Sequence, residues 1–251
     1  MSEKTKEFGN FISFILLSEP HWDCRQFVKN LKNEWDVDLS NADKDDNNVV
    51  EKYGDGFISV AFIQAPIPNR EAEYCAKSNY LWSEAEDVTK THKAHIIVAV
   101  TGNNDNIIEK AKLTTKIADA CLKQKYAVAV YTGEAVYEPR FYHLFTQWLR
   151  EDILPIPDWI WFGIYKHDGK QGIYTDGLRK FGKKEIEVYA DASYDDIRDF
   201  MLEVVNYVIA DDVTLKDGQT IGLTEDQKLP ITLSKGIALD GDTLKIAYRK
   251  G

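Results

Sequence analysis

Three cysteines and five histidines are the side chains of this 251-residue sequence best suited to nucleophilic or metal chemistry. Cys24, Cys75 and Cys121 are too few and too scattered for a disulfide framework. A cysteine nucleophile needs an imidazole that the fold carries to it, and the closeness of His21 to Cys24 in sequence does not supply that geometry. His92-Lys-Ala-His95 has an i, i+3 spacing that can hold a metal on a helix. Here it runs into a predicted strand, where the two rings point to opposite faces. A third ligand is missing, so the two read as a solvated pair. Thr101-Gly102-Asn103 has one glycine where phosphate-cradling loops need more, and no Gly-x-Ser-x-Gly elbow occurs. Glu71, Glu73, Glu84, Glu86 and Asp87 could pair for acid–base work, but they read as the wet face of surface helices. No catalytic residue, metal ligand or cofactor is therefore assigned.

The charge points away from phosphate partners. Lysine and arginine number 31 against 41 aspartates and glutamates. From Ile156 onward 17 acids face 13 bases, which leaves −4 there and −6 before it, for the total of −10. Gripping a nucleic-acid backbone takes clustered cations, so no nucleic acid is expected, whereas a basic protein would be steered in. No run approaches roughly 20 apolar residues, so no membrane span is expected. The first residues lack a basic segment leading into a sustained apolar stretch. Together with the cysteine usage this predicts the reduced cytoplasm.

The elements that must position any site follow from periodicity. Phe11–Leu17 and His95–Thr101 are near-continuous apolar runs, the mark of strands covered on both faces. Helical spacing predicts helices from about Asp23 to Trp35, Arg70 to Trp82, the Asn103–Asn106 caps to about Lys123, and Pro139 to Leu149. Gly54-Asp55-Gly56 joins two strands around Val49–Tyr53 and Phe57–Gln64 as a tight hairpin. Strand–helix–strand–strand–helix–strand is the ferredoxin-like order, here with an inserted helical segment.

Leu154-Pro-Ile-Pro157 reads as an extended linker between an N-terminal unit, residues 1–155, and a C-terminal one, residues 156–251. The second unit reads as a small antiparallel sheet with one long helix capped by Ser193 and running to about Ala210. Both are α+β sandwich layers. Trp159, Trp161 and Tyr165 fall on one face of a predicted strand as an aromatic ladder. Arg179, Lys180, Lys183 and Lys184 form the densest basic group, at a hairpin-like bend.

The stretch Gly172-Ile-Tyr-Thr175-Asp-Gly177-Leu-Arg-Lys-Phe-Gly182-Lys-Lys-Glu185-Ile-Glu187-Val resembles a bacterial family known as domain of unknown function 4261. Asp217-Gly-Gln-Thr220-Ile-Gly222, followed by Pro230-Ile231, fits the same pattern. The resemblance covers about the last 80 residues and implies a family without implying an activity. Thr175, Gly177, Gly182, Gly218 and Gly222 read as turn and close-packing positions.

Two function classes remain. The first is a non-enzymatic binding protein, most concretely a cytoplasmic immunity protein that neutralises a basic toxin domain by direct contact. Its steering charge would lie in the Asp36–Asp46 loop, at Asp43, Asp45 and Asp46, and its aromatic anchors at Tyr74, Tyr80 and Trp82. The alternative is an enzyme or small-ligand sensor with a site in the cleft between the two units, using Tyr174, Thr175, Asp176 and Thr220.

Overall fold

The apolar run Phe11–Leu17 forms β1, the strand around which the N-terminal half is built. It pairs antiparallel with β5 (Ala94–Val100) on one side and β6 (Ala127–Tyr131) on the other. A computed structural model describes residues 8–103 and 105–249, and the chain divides into two compact units, Gly9–Asp158 and the part from Trp159 onward, to which Phe8 also belongs.

In the N-terminal unit the remaining strands are β2 (Asp43–Lys44), β3 (Asn48–Tyr53), β4 (Gly56–Ile63) and β7 (Val136–Tyr137). The sheet order is β2-β3-β4-β5-β1-β6-β7, antiparallel at every pair. Its central β4-β5-β1-β6 set, with α1 (Cys24–Trp35) and α4 (Ile107–Leu122) as crossovers, is ferredoxin-like. Local chemistry sets the helix starts. The Asp23 side chain accepts from the Gln26 N–H, and Asn106 accepts from Glu109. α1 buries Phe27, Leu31 and Trp35, and its C-cap Asp36 takes a left-handed conformation.

Where a minimal ferredoxin-like fold has a tight β4–β5 turn, this chain inserts α2 (Glu71–Ala76) and α3 (Ala85–Thr89). Of the helix expected over Arg70–Trp82 only α2 forms; residues 77–84 are a turn, and α3 begins beyond it. The Asn79 carboxamide oxygen accepts the N–H groups of Leu81 and Trp82, offering the backbone a turn in place of helix. Ala72, Ala76 and Ala85 let the two helices approach Leu16, Ala129 and Val136 closely. The insert covers the face of β1 carrying Phe14 and Leu16. The Tyr142 hydroxyl on α5 (Pro139–Thr146) instead bonds Ser13 and Thr115 on the opposite face. His92 and His95 are not a solvated pair. Both rings are buried: His92 Nε2 accepts the Ile67 N–H at 2.9 Å, which leaves Nδ1–H to donate to the Thr89 carbonyl. His95 Nδ1 lies 2.8 Å from the Ala65 carbonyl, and burial lowers its pKa.

Leu154–Pro157 is not fully extended. Ile156–Trp159 forms a helical turn, α6. Proline is tolerated in a first turn because the N–H it lacks would have no helical partner there. Trp159 therefore leaves the strand, and only Trp161 and Tyr165 of the expected ladder lie on β8 (Trp161–His167).

In the C-terminal unit β8 pairs with β9 (Lys170–Asp176), and β9 with β10 (Ile186–Ala190), both antiparallel. α7 (Tyr194–Ala210) follows, started by a capping box of Ser193 and Asp196. β11 (Thr220–Ile221), β12 (Leu229–Lys235) and β13 (Asp242–Ile246) complete the order β11-β12-β13-β10-β9-β8. One pair departs from an antiparallel sheet: β10 and β13 run parallel, with Ile186 beside Leu244. The chain leaves β10 through the long helix and returns by a hairpin, so its last strand arrives in the same direction. Among the described residues no helix is long and apolar enough to cross a membrane.

Candidate functional site

The insert presents an aromatic surface. Tyr74 is 75% exposed, Leu81 48% and Tyr80 38%. Trp82 points the other way and packs against the buried cluster around Leu16 and Tyr131. Asn79 fixes this turn from both ends, since its Nδ2 also donates to the Val136 carbonyl on β7 at 2.7 Å. Glu71, Glu84 and Asp87 of the same segment are exposed as well. Across residues 70–90 five acids face three bases, and Lys90 is occupied by Glu86 and Asp87. Exposed tyrosine on a backbone pinned from below is suited to protein recognition, where a rigid ring buries area at little entropic cost.

The acidic loop lies elsewhere. Asp43 is on the edge strand β2, whereas α2 and α3 contact β7 and β6 near the other edge. Five strand spacings, roughly 24 Å, separate β2 from β6. Asp43 and Asp46 are exposed. Asp45 does more than bear charge: its carboxylate accepts from the Asn47 and Asn48 N–H groups at 2.7 Å each and from Asn48 Nδ2. These bonds hold its pKa below the usual carboxylate value. Loop and aromatic surface are two patches.

In the C-terminal unit the four polar residues singled out for a ligand do not converge. Tyr174, Thr175 and Asp176 are on β9 and Thr220 is on β11, four strands away, roughly 19 Å. Thr175 is buried and committed. It donates to Glu185 Oε2 at 2.7 Å and accepts the Ile186 N–H at 2.8 Å. Tyr174 lies against Gly163, as Tyr165 lies against Gly172; a Cβ at either glycine would strike the ring. The rings thus require those glycines by close approach.

Two buried acids of the same segment, Glu185 and Glu187, escaped attention in the sequence. Glu185 Oε1 accepts the N–H groups of Gly177 and Arg179, both at 3.1 Å. Burial outweighs these bonds and pushes its pKa up to about 7. Glu187 accepts the N–H groups of Ile237, Ala238 and Leu239 and pairs with Lys245 at 3.0 Å. Each acid organises a turn, and neither is free for chemistry. A cleft of about 550 Å³ opens at the Tyr189–Asp191 end of β10, bordered by Lys170, Tyr189, Thr232, Lys245 and Arg249, and neither acid lines it.

Asp119 and Asp158 are the enclosed acids among the described residues of the N-terminal unit. Asp119 Oδ1 lies 2.6 Å from His143 Nδ1, and its Oδ2 accepts Trp35 Nε1–H at 2.9 Å. This ties α1, α4 and α5 together, while Arg150 stacks on the Trp35 ring at 4.8 Å. An aspartate inside the apolar run Ile117–Leu122 was its sequence signal. Among the described residues no group of three or more His, Cys, Asp or Glu could hold a metal ion.

The fold and surfaces define a class: a ferredoxin-like α+β unit with a surface-presenting insert, joined in sequence to a mixed six-stranded sheet with one helix. Residues 174–247 match the model of the family described as Domain of unknown function (DUF4261). That span runs from β9 to just past β13, so the family segment is the one that holds Glu185 and Glu187. No curated protein and no solved structure matches the chain.

Proposed function

We infer that this chain is a non-enzymatic binding protein, most concretely a cytoplasmic immunity protein that neutralises a basic toxin domain by direct contact. The observation that carries this reading is the insert surface, where Tyr74, Tyr80 and Leu81 stand exposed on a segment whose other side is fastened by Asn79 and Trp82. Aromatic anchors on an acidic segment complement a basic partner. The charge steers the encounter while the anchors hold the complex. The commitment of Glu185, Glu187 and Asp119 to hydrogen bonds within the fold is in keeping with a role other than catalysis.

The test is a titration of the purified chain against the product of a toxin gene adjacent to its own. Binding at micromolar strength or better is expected, and Tyr74→Ala should weaken it about 30-fold, the loss typical of a hot-spot residue. An adjacent toxin that neither binds nor is neutralised removes the reading.

A further inference from the structure

The C-terminal sheet is wider than the helix that covers it. An α-helix is about 10 Å across, whereas six strands at ~4.8 Å make a much broader face. α7 packs chiefly on β9 and β10. Ile186, Leu244 and Leu233 stand in one row across β10, β13 and β12, and Val208 in the last turns of α7 lines the same space. Beyond the helix the row is roofed by the chain from Thr214 to Asp217, which leaves a cavity of about 330 Å³. The roof is tied down on both sides. The Asp217 carboxylate accepts the Leu233 N–H at 2.8 Å, and Lys183 Nζ donates to Asp212 Oδ1 at 2.6 Å and to Thr214 Oγ1.

The mouth of this apolar cavity is cationic in a chain of net charge −10. Lys183, Lys184 and Lys216 line it against Asp217 alone. The Lys183 charge is paired with Asp212. Lys184 and Lys216 are exposed, and among the described residues neither ammonium has a carboxylate partner.

We propose that the cavity binds a small anionic amphiphile, a free carboxylate bearing one apolar chain. The chain lies over Ile186 and Leu244, and the carboxylate sits between Lys184 and Lys216. The volume is at the small end of the roughly 300–1,000 Å³ usual for ligand pockets, which fits a single short chain. Exposed lysines alone hold a bare anion weakly, and apolar walls alone do not distinguish head groups. Their coincidence selects a ligand with both parts.

Methyl NMR of the full chain, titrated in turn with octanoate, octanol and acetate, tests the assignment. Octanoate should shift the Ile186, Leu215 and Leu244 methyls saturably, with a Kd of about 1 mM or tighter. Octanol should bind at least about tenfold more weakly, and acetate should leave these methyls unmoved. The double variant K184Q/K216Q should lose about tenfold in octanoate affinity with octanol unchanged; its other methyl resonances report that it is folded. Leu233→Glu, which places a carboxylate at a mouth position already 39% exposed, should abolish octanoate binding. Equal affinities for octanoate and octanol overturn the proposal, as does a shift that never saturates or octanoate binding that K184Q/K216Q leaves intact.

Discussion

Asp43 on β2 and Asp46 just after it stand in water, while Glu185, immediately before β10, and Glu187 on it are almost wholly enclosed. An exposed carboxylate keeps its hydration and acts at a distance, over a Debye length of about 8 Å at physiological salt. A buried one has given up its water, and donors fixed in place must offset that loss. The donors of Glu187 are three backbone N–H groups and Lys245. Those of Glu185 are two N–H groups and the Thr175 hydroxyl, with Arg179 Nε at 3.9 Å. At β2, charge is available to a partner. At β10 it shapes turns.

This contrast is broken most directly at Glu187. Glu187→Ala leaves three N–H groups without their acceptor and takes the carboxylate from Lys245, which keeps only its bonds to the Lys235 carbonyl and the Thr243 hydroxyl. Removing one member of a buried pair costs about 3–5 kcal/mol. Urea unfolding measures this, and a loss below about 1 kcal/mol would show that the turn holds itself. Glu185 comes next, and its effect has a sign. The folded group titrates at about 7 against an ordinary value of 4.5, so between these values the folded state binds the extra proton. Its stabilisation is complete below pH 4.5 and is lost as pH rises through about 7. The upper bound on that loss is about 3 kcal/mol. Glu185→Gln keeps an acceptor for Gly177 and Arg179 and should flatten this part of the stability–pH curve. An unchanged curve would place the titration elsewhere.

Smaller effects belong to the N-terminal patches. Asn79→Ala removes the bond to Val136 and two turn bonds, for about 1–2 kcal/mol of stability. Thermal melts read that loss. It should also weaken partner binding through misplacement of Tyr80 and Leu81, and binding at wild-type strength would sever the link between turn and surface. Least affected is the triple change of Asp43, Asp45 and Asp46 to asparagine. The unfolding midpoint should stay where it is, because Asp45→Asn keeps a side-chain oxygen that accepts the turn N–H groups. Stopped-flow association with the partner should slow, more at low salt than at high. An unaltered on-rate would reduce the loop to a connection.

The periodicities, caps and turn residues of this chain were decided within short windows of sequence. Asp23, Asn106 and Ser193 start their helices because a side-chain oxygen reaches an N–H three residues ahead. Residues 174–247 match the model of the DUF4261 family, a likeness that was legible in the residue types around Thr175–Val188 and Asp217–Gly222. Partner choice is different, because it joins segments far apart. Nothing local in Lys184-Glu-Ile-Glu187 tells that both acids are enclosed; their donors at 177–179 and 237–239 arrive through turns elsewhere. His92 and His95 look solvated until Ile67 and Ala65 close over them. Trp159 continues an alternating strand pattern until a helical turn claims it. Asp119 meets His143 only when α5 packs on α4. Local sequence determined the long apolar strands and the starts of the capped helices. Burial of charge, the parallel return of β13 and the cavity beside α7 were decided by tertiary structure, because long-range packing settles which polar groups lose their water and what replaces it.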